Sequence, residues 1–348
     1  MNEKIYNINI ERKYPLPTPQ EIQEELPHTE EITDSIFQSR TAVTHILKRN
    51  DRRLMVICGP CSIDNLDSAL EYAQRFKALQ ERVGDKFYLV MRAYFEKPRT
   101  TVGWKGMLYD PDLDQSFNIE KGLRMARQLL IKLAEMNIPA ATEFLEPIIP
   151  QYIADLITWA SIGARTSESQ THRQLASGLS MPIGFKNSTD GSITGAVDAV
   201  KTASASHSFL GVINDGRTGV FSTTGNPLCH VVLRGGAQGP NYTSENIAFT
   251  RELMRRKNVP TPAVVIDCSH ANSGKKPENQ PKVFMDVIDQ INHGETAIAG
   301  VMLESYLHQG NQSITPDRKA GLSLTDACLG WDETEKTILE AYSSLKVW

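Results

Sequence analysis

The stretch LMVICGPCSIDNLDSALEYAQRFKALQERVGDKFYLVMR, residues 54–92, decides the fold. It begins and ends with short apolar runs, LMVICG and FYLVMR, each as long as a buried strand. The segment between them has helical periodicity, and its apolar face consists of Ala69, Leu70, Ala73, Phe76 and Leu79. Continuous apolar runs, without polar alternation, are typical of strands in a parallel sheet covered on both faces. The stretch therefore predicts a parallel strand–helix–strand unit.

The same alternation continues along the chain and gives eight apolar runs. They are LMVICG (54–59), FYLVMR (87–92), IPAATE (138–143), SIGAR (161–165), PIGFK (182–186), HVVLR (230–234), AVVID (263–267) and AIAGVMLE (297–304). Eight such units predict an α/β protein, a (β/α)8 barrel of the TIM type, in which the carboxyl ends of all strands meet at one rim. A doubly wound open sheet is the alternative that this pattern allows.

Two segments fall outside this rhythm. Residues 1–50 are polar and contain four prolines, and they predict an arm followed by one or two helices. The apolar stripe there is Ile36, Val43, Ile46 and Leu47. In residues 207–224, HSFLGVINDGRTGVFSTT, an Asn-Asp-Gly turn predicts a β-hairpin inserted before the sixth barrel strand. The expected organisation is an N-terminal extension, 1–50, and a barrel, 51–348, that carries this hairpin.

Composition sets limits on function. The 348 residues include 37 basic and 41 acidic side chains, a net charge of −4, so no global field attracts nucleic acid or an acidic membrane. No apolar stretch approaches the roughly 18 residues that span a bilayer, and the N-terminus lacks the apolar core of a signal peptide. Five cysteines, an odd number, are typical of reduced thiols. We expect a cytoplasmic protein without nucleic-acid or membrane partners.

Polar residues end or directly follow every apolar run. They are Cys61, Arg92, Glu143, Arg165, Lys186, Arg234, His270 and Glu304. One such residue would be ordinary surface charge, but a polar residue at every run end of a barrel indicates a chemical site. The loop FEKPRTTVGWKG (95–106) adds further cations. Arginine pairs with phosphate and carboxylate, and the chain lacks a P-loop or a GxGxxG motif, so the rim predicts binding of small phosphorylated metabolites.

The same rim offers a mixed set of sulfur, nitrogen and oxygen donors, namely Cys61, His270, Glu304 and Asp326. Such a set suits a divalent transition metal with an open position for substrate. The four residues lack compact ligand spacing, and each is also compatible with a structural role. The motif Cys58-Gly59-Pro60-Cys61 permits a different class of protein, a thiol-disulfide oxidoreductase. That alternative leaves the basic rim without a function.

Several longer motifs resemble one family. They are GPCSI (59–63), MRAYFEKPRTTVGWKG (91–106), IGARTSESQTHR (162–173), GFKNSTDG (184–191), LRGG (233–236), DCSHANS (267–273), VMLES (301–305) and TDACLGW (325–331). From about residue 40 to its end the chain resembles the type I 3-deoxy-D-arabino-heptulosonate 7-phosphate (DAHP) synthases. The resemblance implies condensation of phosphoenolpyruvate with D-erythrose 4-phosphate, the first step of the shikimate pathway to chorismate and aromatic amino acids. A sister family that uses a five-carbon aldose phosphate shares the barrel, lacks the KPRT form, and is the alternative.

The resemblance also implies roles for the rim residues. The two substrates would be bound by Arg92, Lys97, Arg99, Thr100, Lys105, Glu143, Ala164, Arg165, Lys186 and Arg234. Catalytic roles are implied for Lys97, Asp326 and His172, although for His172 a structural hydrogen bond is equally expected. The metal ligands would be Cys61, His270, Glu304 and Asp326. The implied ion is manganese or iron, with cobalt or zinc as alternatives, and no organic cofactor is implied.

In the resembled family the arm and the hairpin help to form an effector pocket for an aromatic amino acid. The matching positions are Pro150, Gln151, Leu175, Leu179, Ser180, Phe209 and Gly211. Gly211 stands where phenylalanine-inhibited members typically carry serine, and the missing side chain would leave space for a phenolic hydroxyl. A glycine can also serve the backbone geometry of a strand. We expect inhibition by tyrosine more than by phenylalanine, and the family implies a homodimer or homotetramer.

Overall fold

A computed structural model describes residues 5–346 of the chain. Residues 1–4 of the predicted arm and residues 347–348 lie outside the described residues. Within the described part the strands are β1 (Leu54–Gly59), β2 (Phe87–Arg92), β3 (Ala140–Glu143), β4 (Trp159–Ile162), β5 (Ile183–Lys186), β6 (Ser208–Val212), β7 (Thr218–Ser222), β8 (His230–Leu233), β9 (Val264–Asp267) and β10 (Ile298–Glu304).

The helices over the same residues alternate with the strands. They are α1 (Pro19–Glu25), α2 (Glu30–Leu47), α3 (Leu66–Val83), α4 (Ile119–Glu135), α5 (Pro150–Ile153), α6 (Gln170–Gly178), α7 (Thr194–Ala203), α8 (Ser244–Arg256), α9 (Gln280–Asn292) and α10 (Trp331–Ser344). Single 3-10 turns follow α5 and precede α9. Between residues 5 and 346, no helix has both the length and the apolar character needed to cross a membrane.

Eight of the strands close a parallel barrel in the order β1-β10-β9-β8-β5-β4-β3-β2. Closure is visible at β1, where Ile57 pairs with Val90 of β2 on one side and with Met302 of β10 on the other. Nearly every barrel-strand residue is buried, as the continuous apolar runs predict. The predicted (β/α)8 barrel is confirmed. The doubly wound open sheet is wrong, because no edge strand remains in this sheet.

Helix α2 plugs the amino-terminal end of the barrel. Its residues Val43, Ile46 and Leu47 share one buried cluster with barrel residues. The barrel members of the cluster are Met55, Ile57, Val90, Ala141, Trp159, Val232, Ala263, Val265, Ala299 and Met302. Ser39 of α2 also lies 2.7 Å, oxygen to oxygen, from Thr158, the residue before β4. Because α2 fills this end, the chemical site is left to the opposite, carboxyl end of the strands.

The predicted hairpin is confirmed as an antiparallel pair, β6 and β7, separate from the barrel sheet. The rings of Phe209 and Phe221 stack on one face with their centroids 5.6 Å apart. On the other face the cross-strand pair Leu210 and Val220 is exposed. The Gln20 N–H donates to the carbonyl of Asn214 at 2.9 Å, so the N-terminal segment is bonded to the hairpin turn.

A buried polar pair crosses the barrel interior near the plugged end. The indole N–H of Trp159 donates to Nε2 of His230 at 3.0 Å, and Nδ1 of His230 donates to the carbonyl of Leu228 at 2.9 Å. The pair packs against Gly184, where a Cβ atom would lie 2.5 Å from the indole ring. Burial lowers the pKa of His230 to about 4, so the folded protein keeps this imidazole neutral.

We predict that His230 makes the fold less stable in mild acid. Below its usual pKa the unfolded chain binds a proton that the folded chain does not, so stability falls between about pH 6.5 and about pH 4, by up to about 3 kcal/mol. His230→Gln keeps an acceptor for Trp159 but does not titrate, so the free energy of unfolding should depend less on pH. Denaturant titrations at several pH values measure this, with the exposed His293→Gln as control. Parallel pH profiles for wild type and His230→Gln would contradict the prediction.

Candidate active site

The carboxyl ends of the strands surround one cavity of about 280 Å³, here called the rim cavity. It is lined by Arg92, Lys97, Pro98, Arg99, Thr100, Thr101, Glu143, Ala164, Arg165, Lys186, Arg234, His270, Lys275, Thr325 and Asp326. Strand ends supply Arg92, Glu143 and Lys186, and the loops that follow the strands supply the others. The structure thus brings together nine of the ten residues predicted to bind substrate.

The rim cavity is strongly cationic, although the chain as a whole is acidic. Seven of its lining residues are arginine or lysine, and only Glu143 and Asp326 are carboxylates. Around it, Nη2 of Arg165 donates to the Thr100 hydroxyl at 2.9 Å, which joins the loop after β4 to the loop after β2. A low-dielectric pocket with this excess of cations concentrates anions. The cavity is therefore suited to a ligand with several negative charges.

Two buried ion pairs form the floor of the rim cavity. Nη2 of Arg92 lies 2.9 Å from Oε1 of Glu304, and its guanidinium lies over the ring of Tyr94. Nζ of Lys186 lies 3.0 Å from Oε2 of Glu143. Burial alone would raise the pKa of Glu143, but the ammonium groups of Lys186 and Lys97 lower it to about 2. Burial alone would lower the pKa of Lys186, but Glu143 raises it. The pair between Lys186 and Glu143 is therefore fully ionised at neutral pH.

The predicted metal ligands converge at one side of the cavity. Donor atoms of Cys61, Glu304 and Asp326 all lie within 4.8 Å of one another. Nε2 of His270 is 3.8 Å from Oε1 of Glu304 and 4.0 Å from Oδ2 of Asp326. One thiol, one imidazole and two carboxylates form a donor set that suits a divalent transition metal. The residues present therefore fit the implied ion.

A buried carboxylate orients the imidazole of this cluster. Oδ2 of Asp267, which is fully buried, lies 2.9 Å from Nδ1 of His270 and 3.9 Å from Nζ of Lys186. The Ser269 hydroxyl donates to the other oxygen, Oδ1, at 2.6 Å. Burial alone would raise the pKa of Asp267, but His270 and Lys186 hold it well below its usual range. The anion keeps the proton of His270 on Nδ1 and leaves Nε2 free to bind a metal.

Lys97 connects the donor cluster to the cavity. Its Nζ lies 3.1 Å from the Cys61 thiol and 3.1 Å from the carbonyl oxygen of the same residue. Burial and the charge of Glu304 raise the pKa of the Cys61 thiol, and Lys97 opposes them. For Asp326, burial acts in the same direction, but Lys97 and His270 lower the pKa of this carboxyl. An ammonium group thus stands where substrate and donor cluster meet.

Comparison with known proteins agrees with this geometry. The profile of the DAHP synthetase I family matches residues 25–339. The chain belongs to this family. It is 47% identical over 346 residues to the Tyr-sensitive phospho-2-dehydro-3-deoxyheptonate aldolase of Salmonella typhimurium, with 99% of this chain and 97% of that protein covered.

Other relatives give the same result. The Phe-sensitive phospho-2-dehydro-3-deoxyheptonate aldolase of Escherichia coli K12 is 47% identical over 348 residues, with 99% of each chain covered. The Trp-sensitive protein of Enterobacter agglomerans is 48% identical over 325 residues, with 93% of each chain covered. The solved phospho-2-dehydro-3-deoxyheptonate aldolase from Francisella tularensis SCHU S4 has a TM-score of 0.95 at 45% identity, covering 97% of this chain and 98% of that one. The chain is accordingly an enzyme, a transferase of the DAHP synthase class.

Two of the residues predicted to bind substrate or to act in catalysis do not line the rim cavity of this DAHP synthase. Lys105 has an exposed side chain, and only its backbone carbonyl takes part, accepting the N–H of Lys97 at 2.8 Å. His172 has both ring nitrogens engaged, with Nδ1 2.9 Å from the Ser169 hydroxyl and Nε2 2.7 Å from the Leu145 carbonyl. Neither residue lines the cavity. For His172 these two contacts are the kind expected of the structural role, which the sequence analysis gives as the alternative to proton transfer.

Several residues that shape the site escape sequence reasoning. Glu96 is buried beside Lys97, accepts the N–H groups of Leu145 and Glu146, and has its pKa raised to about 8 by burial. It holds the loop after β2 against the loop after β3. The side-chain amide of Asn241 donates to Oδ1 of Asn187, and the backbone N–H of Asn241 donates to Oδ1 of Asn272, which joins the loops after β5, β8 and β9.

Some of these residues could have been found from the sequence, and others could not. Asn187, Asn272 and Asp267 lie within motifs already quoted, and Asp267 ends a predicted strand, although only His270 was assigned there. Gln280 is fully buried and bonds both backbone groups of Glu304, at 3.0 and 2.8 Å. It is the first residue of α9 and lies outside every motif quoted above, so only the fold reveals its contact.

A second cavity, the N-terminal cavity, has a volume of about 540 Å³ and shares no lining residue with the rim cavity. Of the predicted effector residues, Pro150, Gln151, Leu179 and Ser180 line it. The structure does not place Leu175, Phe209 or Gly211 in its lining. The other lining residues include Gln23 of α1, five residues of α2 and Asn214 of the hairpin turn. The arm and the hairpin therefore meet at this cavity, as the resemblance implies.

The expected open space at Gly211 is filled. A Cβ atom on Gly211 would lie 2.8 Å from the ring of Phe221. The glycine therefore permits the close stacking of Phe221 on Phe209, and the vacancy proposed for a phenolic hydroxyl does not exist in this arrangement. This corrects the physical reason given for a tyrosine preference.

The structure argues against the oxidoreductase alternative. All five cysteines are free and buried. The Cys58 thiol lies 3.2 Å from the Tyr72 hydroxyl, and burial raises its pKa to about 11. Redox-active thiols are partly exposed and have lowered pKa values. Cys58 is a core residue.

We predict that Asp267→Asn weakens metal binding by about 10- to 100-fold, because a neutral amide no longer fixes the proton of His270 on Nδ1. Chelator competition with Mn²⁺ measures the dissociation constant. Asp64→Asn gives a matched control, since Asp64 is a buried carboxylate that accepts from the Tyr306 hydroxyl and lies outside the donor cluster. Equal metal affinity of the wild type and Asp267→Asn would contradict the assigned role.

Proposed function

We propose that this enzyme condenses phosphoenolpyruvate with D-erythrose 4-phosphate and water to give DAHP and phosphate. The reaction is the first step of the shikimate pathway to chorismate and aromatic amino acids. The observation that carries the proposal is one cavity with seven cationic side chains next to a thiol–imidazole–carboxylate cluster, in a chain of the DAHP synthetase I family. Two anionic substrates account for the cationic cavity, and a divalent ion accounts for the donor cluster. Manganese or iron is the ion that we favour. No organic cofactor is needed.

The lining residues divide between the two substrates. Phosphoenolpyruvate carries a carboxylate and a phosphate, and Arg165, Lys186 and Arg234 line the cavity and provide cations for them. The loop after β2 offers Arg99 and Thr100 for the phosphate of erythrose 4-phosphate. Fixed cations offset the repulsion between the two substrates and hold them in attack geometry.

The chemistry follows from this placement. The enol carbon of phosphoenolpyruvate is a weak nucleophile, and a divalent ion held by Cys61, His270, Glu304 and Asp326 would supply Lewis-acid polarisation of the aldehyde. Lys97, which lies 3.1 Å from the Cys61 thiol, donates a proton to the aldehyde oxygen as the carbon–carbon bond forms. Water then adds at carbon 2 of phosphoenolpyruvate, and phosphate leaves with cleavage of the carbon–oxygen bond. His172 acts through the loop that it holds.

We predict that purified enzyme consumes phosphoenolpyruvate with erythrose 4-phosphate, not with a five-carbon aldose phosphate. Chelator should abolish the activity and Mn²⁺ should restore it, because the aldehyde is otherwise too weak an electrophile. Phosphoenolpyruvate absorbance measures the rate. Cys61→Ser should need more metal for half-maximal activity, whereas Cys229→Ser, which changes a buried cysteine outside the site, should not. Full activity in the metal-free enzyme would exclude the metal assignment.

We also propose that an aromatic amino acid binds in the N-terminal cavity and inhibits the enzyme. The cavity combines apolar Ile36, Phe37 and Met181 with charged Arg40 and Asp155, a lining that suits an aromatic zwitterion. Relatives described as Tyr-, Phe- and Trp-sensitive are almost equally similar to this chain, so identity does not select the ligand. We favour tyrosine, with phenylalanine next, because Gly211 stands where phenylalanine-inhibited members typically carry serine.

We predict that tyrosine inhibits more strongly than phenylalanine or tryptophan. Gly211→Ser should displace the Phe221 ring and shift the preference toward phenylalanine. Rates at several inhibitor concentrations, for the wild type and Gly211→Ser, measure this, and coupling of about 1–3 kcal/mol corresponds to a several-fold to hundredfold change in substrate affinity. Gly84→Ser, at a glycine with a φ of −65° that lines neither the rim cavity nor the N-terminal cavity, is the control. Stronger inhibition of the wild type by phenylalanine would exclude the tyrosine assignment.

The N-terminal extension and the hairpin support two further proposals. Apolar Ile8, Ile10, Leu210 and Val220 are exposed, which favours assembly into a homodimer or homotetramer. We further propose a cytoplasmic location, which the five free thiols support. Binding of nucleic acid or membrane is not part of the proposed function.

A further inference from the structure

A third cavity, here called the side cavity, adjoins the rim cavity. Its volume is about 220 Å³, and His270, Lys275 and Asp326 line both cavities. The exposed Asn311 and the 65% exposed side chain of Asp326 show where the side cavity reaches the surface. Its deeper lining includes Ser269, Ser273, Gln280 and Glu304, all nearly inaccessible to solvent.

The donor cluster faces this side cavity more openly than the rim cavity. His270, Glu304 and Asp326 all line the side cavity, whereas Glu304 is absent from the described lining of the rim cavity. On the rim side, the ammonium group of Lys97 lies 3.1 Å from the Cys61 thiol and covers it. Three of the four predicted ligands are thus reachable from the side cavity.

The charges of the two cavities differ in sign. The rim cavity has seven cationic residues against two carboxylates, whereas the side cavity has Lys275 against Glu304 and Asp326. A divalent cation that crossed the rim cavity would be repelled by the residues that attract the substrates. Along the side cavity, the hydroxyl oxygens of Ser269 and Ser273 retain lone pairs that can contact the ion.

We infer that the divalent metal enters and leaves its site through the side cavity, past Asn311, and not through the rim cavity. This inference rests on the metal-dependent function proposed above. The anionic substrates then enter through the rim cavity, and the metal cation enters through the side cavity. The ion can then exchange while the rim cavity is occupied.

Asn311→Trp tests the route by narrowing the mouth of the side cavity. Metal-free enzyme is mixed with Co²⁺, and the thiolate-to-cobalt absorption reports association; excess chelator added to the loaded enzyme reports dissociation. An obstructed path slows both association and dissociation of the metal, but it does not change the free energy of the bound or the unbound state. We expect both rate constants to fall by about the same factor, roughly tenfold, with an unchanged dissociation constant. Activity of the loaded enzyme should not change, because Asn311 does not line the rim cavity.

Two variants serve as controls. Asn311→Ala removes the hydrogen bond from Nδ2 to the Thr325 carbonyl without adding bulk, and should exchange metal at the wild-type rate. Thr101→Trp adds the same bulk to the rim cavity, which Thr101 lines, and should also leave metal exchange unchanged.

The outcomes separate the route from the function. Slow exchange in Thr101→Trp with normal exchange in Asn311→Trp would overturn the route. A second result would also overturn the route: a changed dissociation constant in Asn311→Trp that arises from the dissociation rate alone. The substitution would then alter the Asp326 loop and not the path of the ion. Wild-type enzyme that binds Co²⁺, with unaltered rates in every variant, overturns the route only. Failure of the wild type to bind Co²⁺ overturns the metal site and the route together.

Discussion

The buried ion pair between Arg92 and Glu304 is the interaction on which the rest of the site depends. Arg92 ends β2 and Glu304 ends β10, and the two strands flank β1. The same guanidinium donates to the carbonyls of Pro60 and Cys61, directly after β1. One side chain therefore fixes three neighbouring strand ends and two donors of the cluster. Removing one partner of such a pair leaves an uncompensated buried charge, at a cost of about 3–5 kcal/mol.

Buried groups of alternating charge extend from the Arg92–Glu304 pair across the barrel. Tyr94 presents its ring to Arg92 and, at 5.4 Å, to Lys186, and Lys186 in turn lies between Glu143 and Asp267. Each buried ion thus has an opposite charge or a ring face beside it, which is how a dry interior tolerates many ions. The substrate end and the donor cluster share this network through Asp267. A change at one end is therefore felt electrostatically at the other.

Sequence predicted the fold and most of the site for a physical reason. Apolar runs mark strands buried on both faces, and barrel closure brings their polar ends to one rim, so Arg92, Glu143 and Lys186 could be placed before the structure was known. Roles that depend on the direction of a side chain could not be predicted from the sequence. The side chain of Lys105 is exposed to solvent, and both ring nitrogens of His172 contact loop residues. The ring of Phe221 fills the space next to Gly211. Gln280 finds Glu304 only through the tertiary fold.

Helix α2 has two duties, and their combination limits how the enzyme can change over evolution. One part of the helix fills the floor of the barrel with Val43, Ile46 and Leu47, while an earlier part lines the N-terminal cavity with Ile36 and Phe37. Deleting the segment to discard the cavity would open the barrel core to water. Under the proposed regulation, substitutions in the cavity wall can therefore remove control and keep the barrel core closed, whereas a deletion that reaches Val43, Ile46 and Leu47 cannot.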